Sequence, residues 1–213
     1  MKNFHSIVIF LTTALCFSLW GILKNLSQQY PLAIPLLAAT SSIGIYRLVF
    51  KFLSFIIRKC KIIKRFILGN SYFEGTWAGF YYGVNGDVRY FIETFEQDID
   101  SLKMKGTTFD NMHKFHNTYF SDYININLSK KEINYLYTMQ SSKTNTDGIG
   151  IARFNFYYKD KTSYPTTLLG TTKDKHLIQQ CKGFEIKISD EILDATQYIY
   201  KSIEVYKEYK NKI

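Results

Sequence analysis

Arg153, Asn155 and Tyr157 alternate with Ala152, Phe154 and Phe156 along one short run. In a strand, successive side chains point to opposite faces. With the polar face turned inward, Arg153 offers a guanidinium that can hold a phosphate through two parallel hydrogen bonds. With the phenylalanines turned inward, Arg153 is a solvated outer residue, and hydrophobicity alone favours this second arrangement. A second candidate stretch is Leu169-Gly170-Thr171-Thr172-Lys173. Its hydroxyls, Thr172 above all, and its cation could form the lip of a site, or simply end a strand. The third is Gly75-Thr76-Trp77-Ala78-Gly79-Phe80-Tyr81-Tyr82. Trp77 and Tyr81 are its candidates for ligand contact. Core packing is the stronger expectation for Trp77, with flanking glycines allowing close backbone approach. The chain holds 17 Tyr and 17 Phe, and a tyrosine-lined cavity suits flat bases or sugars, which bind by stacking and hydroxyl hydrogen bonds.

Nothing in the sequence assembles a catalytic centre. The histidines are His5, His113, His116 and His176. His113 and His116 lie three apart in an expected loop, and no Cys or acid completes a metal set around them. There is no phosphate loop, no G-x-S-x-G and no H-E-x-x-H. The expectation is a binding module without a cofactor, not an enzyme. Cys16, Cys60 and Cys181 are dispersed and odd in number, which reads as free thiols in a reducing compartment.

The elements that must carry these residues begin after Gly69-Asn70-Ser71. Residues 69–188 break into short alternating segments: Glu74–Tyr82, Val88–Asp98, Leu102–Phe109, Tyr123–Leu128, Ile133–Gln140, Gly150–Lys159, Thr166–Thr172 and Cys181–Ile188. Asn85-Gly86-Asp87 signals a hairpin, and Asp147-Gly148 does so less firmly. Some eight strands without intervening helices predict a closed antiparallel barrel, with a sandwich as the alternative. An eight-stranded barrel has room for its own side chains or one small ligand. Residues 189–213 predict an amphipathic helix: Ser189 can cap it, Asp190 and Glu191 suit its first turn, and Ile192, Ala195, Ile199, Ile203 and Tyr206 fall at helical spacing.

Residues 1–68 are of another kind. Ser6–Leu23 and Leu32–Ile57 are apolar runs long enough to span a bilayer core. A signal peptide is the rival for the first, but no small-residue cleavage site follows and a second apolar run comes at once. The link of about seven residues predicts a hairpin. Trp20 and Tyr30 are placed as interface anchors. Arg47 and Lys51 belong toward the exit side, where long side chains reach the headgroups. Arg58, Lys59, Lys61, Lys64 and Arg65 then form a basic stem.

The net charge of +9 arises entirely here. Residues 1–69 hold nine Lys and Arg and no acid; of 27 basic and 18 acidic residues overall, 18 of each remain for the rest. A neutral β-portion lacks the basic field that nucleic-acid polymers require. By the positive-inside rule, both termini and the β-domain are expected in the cytoplasm.

Two apolar segments, a basic juxtamembrane stem and a β-rich domain opening on Gly75-Thr76-Trp77 and Gly79 resemble a known family. These are the SMODS-associating two-transmembrane, β-strand-rich effectors, the CD-NTase-associated membrane receptors of bacterial CBASS anti-phage defence. The resemblance implies a compact, lipocalin-like eight-stranded barrel. It implies a cyclic dinucleotide ligand made by a partner nucleotidyltransferase, homo-oligomerisation on binding, and disruption of the inner membrane. A membrane-tethered lipocalin-like carrier of an apolar ligand is the alternative drawn from the same barrel.

Overall fold

The computed structural model describes residues 2–141, 147–159, 163–175 and 179–212. The chain divides into two compact units, Met1–Leu68 and Gly69–Ile213.

The first unit is helical. α1 runs Lys2–Gln29 and α2 runs Ala33–Lys59. Both are long and apolar enough to cross a membrane. Each is longer than the apolar run in it, so only three residues join them. Pro31 lies in that turn, and Pro35 falls in the first turn of α2, where its missing N–H costs nothing. The start of α1 meets the end of α2, with Phe4 edge-on to Phe50 at 5.4 Å. The outer flanks are greasy: Phe10 and Phe17 are more than 70 % exposed. Such surface is a liability in water and an asset in lipid. The Thr40 hydroxyl donates to the Leu36 and Leu37 carbonyls, which satisfies a polar group inside the apolar stretch.

At Cys60 the backbone is extended (φ −114°, ψ 99°), which separates α2 from α3, Lys61–Leu68. In α3, Lys61, Lys64 and Arg65 share one face, and Ile62, Ile63, Phe66 and Ile67 the other. This is the pattern of a helix lying along a headgroup layer.

The second unit is an up-and-down barrel. Its strands are β1 (Gly75–Tyr82), β2 (Val88–Gln97), β3 (Leu102–Phe109), β4 (Phe115–Asn127), β5 (Glu132–Ser141), β6 (Asp147–Tyr158), β7 (Pro165–Asp174) and β8 (Cys181–Ser189). Each pairs antiparallel with the next, and β8 closes on β1. Closure leaves no sheet edge open to other chains. The β1–β2 hairpin turns where Asn85-Gly86 predicts, with Gly86 at φ 78°.

Three expectations are corrected. β4 begins eight residues before the expected Tyr123, so His116 lies on a strand; His113 sits in the preceding turn, at φ 63°. Asp147-Gly148 is not a turn but the start of β6. The C-terminal helix, α4, spans Ala195–Tyr209 and not the stretch from Ser189. Thr76 explains the delay. Its hydroxyl donates to the Glu191 carbonyl (2.5 Å) and accepts from the Leu193 N–H (2.9 Å), so residues 191–193 are tied to β1. Asp194 then caps the helix, accepting from the Thr196 N–H at 2.8 Å.

The barrel has apolar layers on both sides of its wall. Outside, α4 lays Ile199, Ile203, Val205 and Tyr206 against Ala78, Phe80, Tyr90, Ile92 and Phe184 of β1, β2 and β8. The Ser202 hydroxyl pins it by donating to the Phe91 carbonyl at 2.6 Å. Inside, one end is filled by Phe73, Trp77, Phe95, Phe156 and Leu168. Lys187 completes this floor. Its ammonium lies 2.8 Å from Asp190 and over the ring of Tyr72 at 4.2 Å.

Candidate ligand cavity

Register fixes which residues meet inside. Trp77, Gly79 and Tyr81 of β1 pair with Glu93, Phe91 and Arg89 of β2, and paired residues share a face. The inward set continues as Thr108, Asn117, Tyr119, Tyr135, Tyr137, Phe154, Thr172, Asp174 and Cys181. These residues line a cavity at the end opposite the floor. The cavity measures about 60 Å³; counted outward to solvent, the empty volume is about 590 Å³. That is less than the ~150 Å³ that holds a benzene ring, so a flat ring can enter only from the open mouth of the cavity.

Two glycines shape it. A Cβ at Gly106 would run into the ring of Tyr119, and one at Gly150 into the ring of Tyr137. Each tyrosine therefore lies flat across the neighbouring strand, and its hydroxyl reaches inward.

Those hydroxyls converge on carboxylates. Tyr119 and Tyr135 both donate to Glu93 Oε1, at 2.6 and 3.0 Å. Tyr137 donates to Asp174 Oδ1 at 2.7 Å. The Thr108 hydroxyl donates to the Asn117 side-chain carbonyl. Glu185, on β8, is fully buried beside Glu93. Burial raises both acids above the ordinary carboxylate range, and the charge on Glu93 raises Glu185 further. The tyrosine hydroxyls pull Glu93 back down. Glu93 is thus the first of the two to ionise, and Glu185 keeps its proton to higher pH. Burial and the nearby carboxylates push the phenols of Tyr119, Tyr135 and Tyr137 up, so they stay donors.

Among the described residues, only Arg89 and Lys187 bring cations to the inward face of the strands. Arg89 is at the rim. Its charge is felt by the Tyr81 hydroxyl and by the Asp110 carboxylate of the β3–β4 turn.

The six residues singled out from sequence divide into three groups. Tyr81 and Thr172 line the cavity. Trp77 points inward but lies in the floor, stacked on Phe73, and does not reach the cavity. Arg153, Asn155 and Tyr157 are on the outer surface, because burying Ala152, Phe154 and Phe156 removes more apolar area from water. Arg153 is 72 % exposed there, with Nε 3.2 Å from Asn134 Oδ1 and 3.5 Å from Glu132 Oε1. It cannot act as a phosphate ligand inside the barrel. His176 lies outside the described residues.

Sequence reasoning missed Arg89, Glu93, Glu185, Tyr119, Tyr135, Tyr137 and Asp174. The signal for Arg89 and Glu93 was the alternation Arg89, Phe91, Glu93, Phe95; its rival face, Tyr90 and Ile92, is just as apolar. No protein-family model matches this chain, and no curated protein matches its sequence.

Proposed function

We propose that this chain is a membrane-anchored receptor whose barrel takes one base of a cyclic dinucleotide into its open end and holds the phosphates at the rim. The observation that carries the reading is the cavity itself: an aromatic, tyrosine-edged slot at one end of a closed barrel whose other end is full. A flat base stacks on such walls. Its phosphates are kept out of the depth by Glu93 and Asp174 and drawn to Arg89, a planar fork suited to phosphate oxygens. The hairpin and basic stem match a cytoplasmic barrel tethered to an inner membrane. Ligand-driven clustering of the barrels would concentrate the hairpins without any new membrane contact. Membrane disruption and an anti-phage role follow from the family resemblance.

The test uses the full chain in lipid nanodiscs, titrated calorimetrically with cyclic di-GMP, cyclic di-AMP and cyclic GMP-AMP. At least one is expected to bind. Arg89→Ala should then weaken it about tenfold or more, the worth of a hydrogen bond to a charged group. Arg153→Ala should leave it unchanged. Failure of all three to bind, with the barrel folded, sinks the reading. A carrier of apolar ligands draws support from Phe91, Phe154 and Met139 in the cavity wall. Buried Glu93 speaks against it, and displacement of a fluorescent fatty acid from the same nanodiscs would favour it.

A further inference from the structure

Glu93 is an unusual residue to find in a cavity wall. It is 2 % exposed, and its two oxygens are unequal. Oε1 already accepts from two phenols. Oε2 is buried, and the only neighbouring side chain that can donate to it is the carboxyl of Glu185. Glu185 stands beside it, equally buried, and can place its proton on that side. A carboxylate oxygen has two lone pairs, so even then Oε2 keeps one acceptor position. An ionised oxygen held this way in a dry site costs free energy until a donor reaches it. Tyr81, Thr108, Asn117 and Thr172 also bring polar groups to the cavity wall, but none of them donates to Oε2.

Resting on the receptor reading above, we infer that Glu93 is a specificity residue of the cavity. Through Oε2 it accepts a hydrogen bond from the exocyclic amine of an amino-bearing purine. The slot then discriminates by what a base edge donates. Phe91, Tyr137 and Phe154 grip any flat ring, since every base has a π-face. Only an edge with an N–H in the right place relieves the buried oxygen. A ring with an acceptor or a bare C–H there leaves it unpaired.

The experiment compares the dinucleotide that binds best with its partner lacking only the amine. The pairs are cyclic di-AMP against the purine-riboside cyclic dinucleotide, and cyclic di-GMP against cyclic di-IMP. Each is titrated against the full chain in nanodiscs and against Glu93→Gln. Removing the amine is expected to weaken binding on the order of 10- to 100-fold in the wild type, as for a lost bond to a charged group. In Glu93→Gln the same ratio should fall toward one. An analogue that binds within threefold of its parent overturns the inference and leaves the receptor reading standing. So does a Glu93→Gln variant that weakens parent and analogue equally, which is the mark of a purely structural role. The analogue comparison in the wild type needs no variant to fold. If no cyclic dinucleotide binds, the receptor reading fails and takes this inference with it.

Discussion

Replacing Glu185 with glutamine is expected to stabilise the barrel at pH 8 and to flatten its pH dependence. In the folded barrel both Glu93 and Glu185 hold their protons to higher pH than in the unfolded chain. Below the ordinary carboxylate range both states are protonated, and their contribution is fully present. As pH rises, the unfolded chain releases its protons first, so stability falls. The fall continues until the folded pair has titrated, Glu93 at about 7 and Glu185 beyond it. One proton retained by the folded state costs ~1.4 kcal/mol for each pH unit across that window. Glutamine keeps the shape, cannot ionise, and offers Glu93 an N–H in place of the shared proton. Asp110 and Asp194, lowered by local hydrogen bonds, have the opposite sign, but they act below the ordinary carboxylate range and lie outside this window. Urea denaturation in detergent micelles between pH 5 and 9 reads the slope. An unchanged slope, or a variant less stable at pH 8 than the wild type, contradicts the shared-proton assignment.

Trp77→Ala is expected to cost about 3–5 kcal/mol, as for other large buried aromatics cut back to alanine. Trp77 has no exposed surface. Its ring stacks on Phe73 and meets Phe95 edge-on, at centroid distances of 6.1 and 5.9 Å. Its Nε1–H donates to the Phe73 carbonyl at 3.0 Å. Alanine would leave a cavity at the floor and a carbonyl without its donor. Thermal unfolding should begin on the order of 10 °C lower, since each kcal/mol moves a domain of this size by ~2–4 °C. Trp77→Phe should recover much of the loss but not the hydrogen bond. If Trp77→Ala unfolds with the wild type while binding is abolished, Trp77 is a ligand contact and not a floor residue.

Much of the architecture was legible because local chemistry and periodicity agree. Asn85-Gly86 can hardly be anything but a hairpin turn between two alternating runs. Leu102–Phe109 reads as a strand from end to end. The charge-free stretches Ser6–Leu23 and Ala33–Tyr46 can only be apolar helices. The first half of β4 was not legible, because its inward residues, Asn117, Tyr119 and Ser121, are polar. They serve the cavity, so the usual sign of a core-facing strand is missing.

The interior acids were hidden for a related reason. In β8 the inward residues are Cys181, Gly183, Glu185 and Lys187, and the greasy ones, Phe184, Ile186 and Ile188, face α4. Hydrophobicity alone puts the wrong side of that strand inside. For β6, which α4 does not cover, the same rule gives the right side and moves Arg153 out. Which face is core depends on where a helix docks, and no single strand carries that information.

Cys181 offers the most direct probe of the central claim, that the ligand enters the open end of the barrel. Its thiol lines the cavity, is 7 % exposed, and is held protonated by burial and by Asp174. With Cys16→Ser and Cys60→Ser removing the other thiols, the rate at which methyl methanethiosulfonate modifies Cys181 can be followed by mass spectrometry. A saturating cyclic dinucleotide is predicted to slow that rate at least about tenfold, because an occupied slot excludes the reagent. An unchanged rate, with the dinucleotide shown to be bound, contradicts the account.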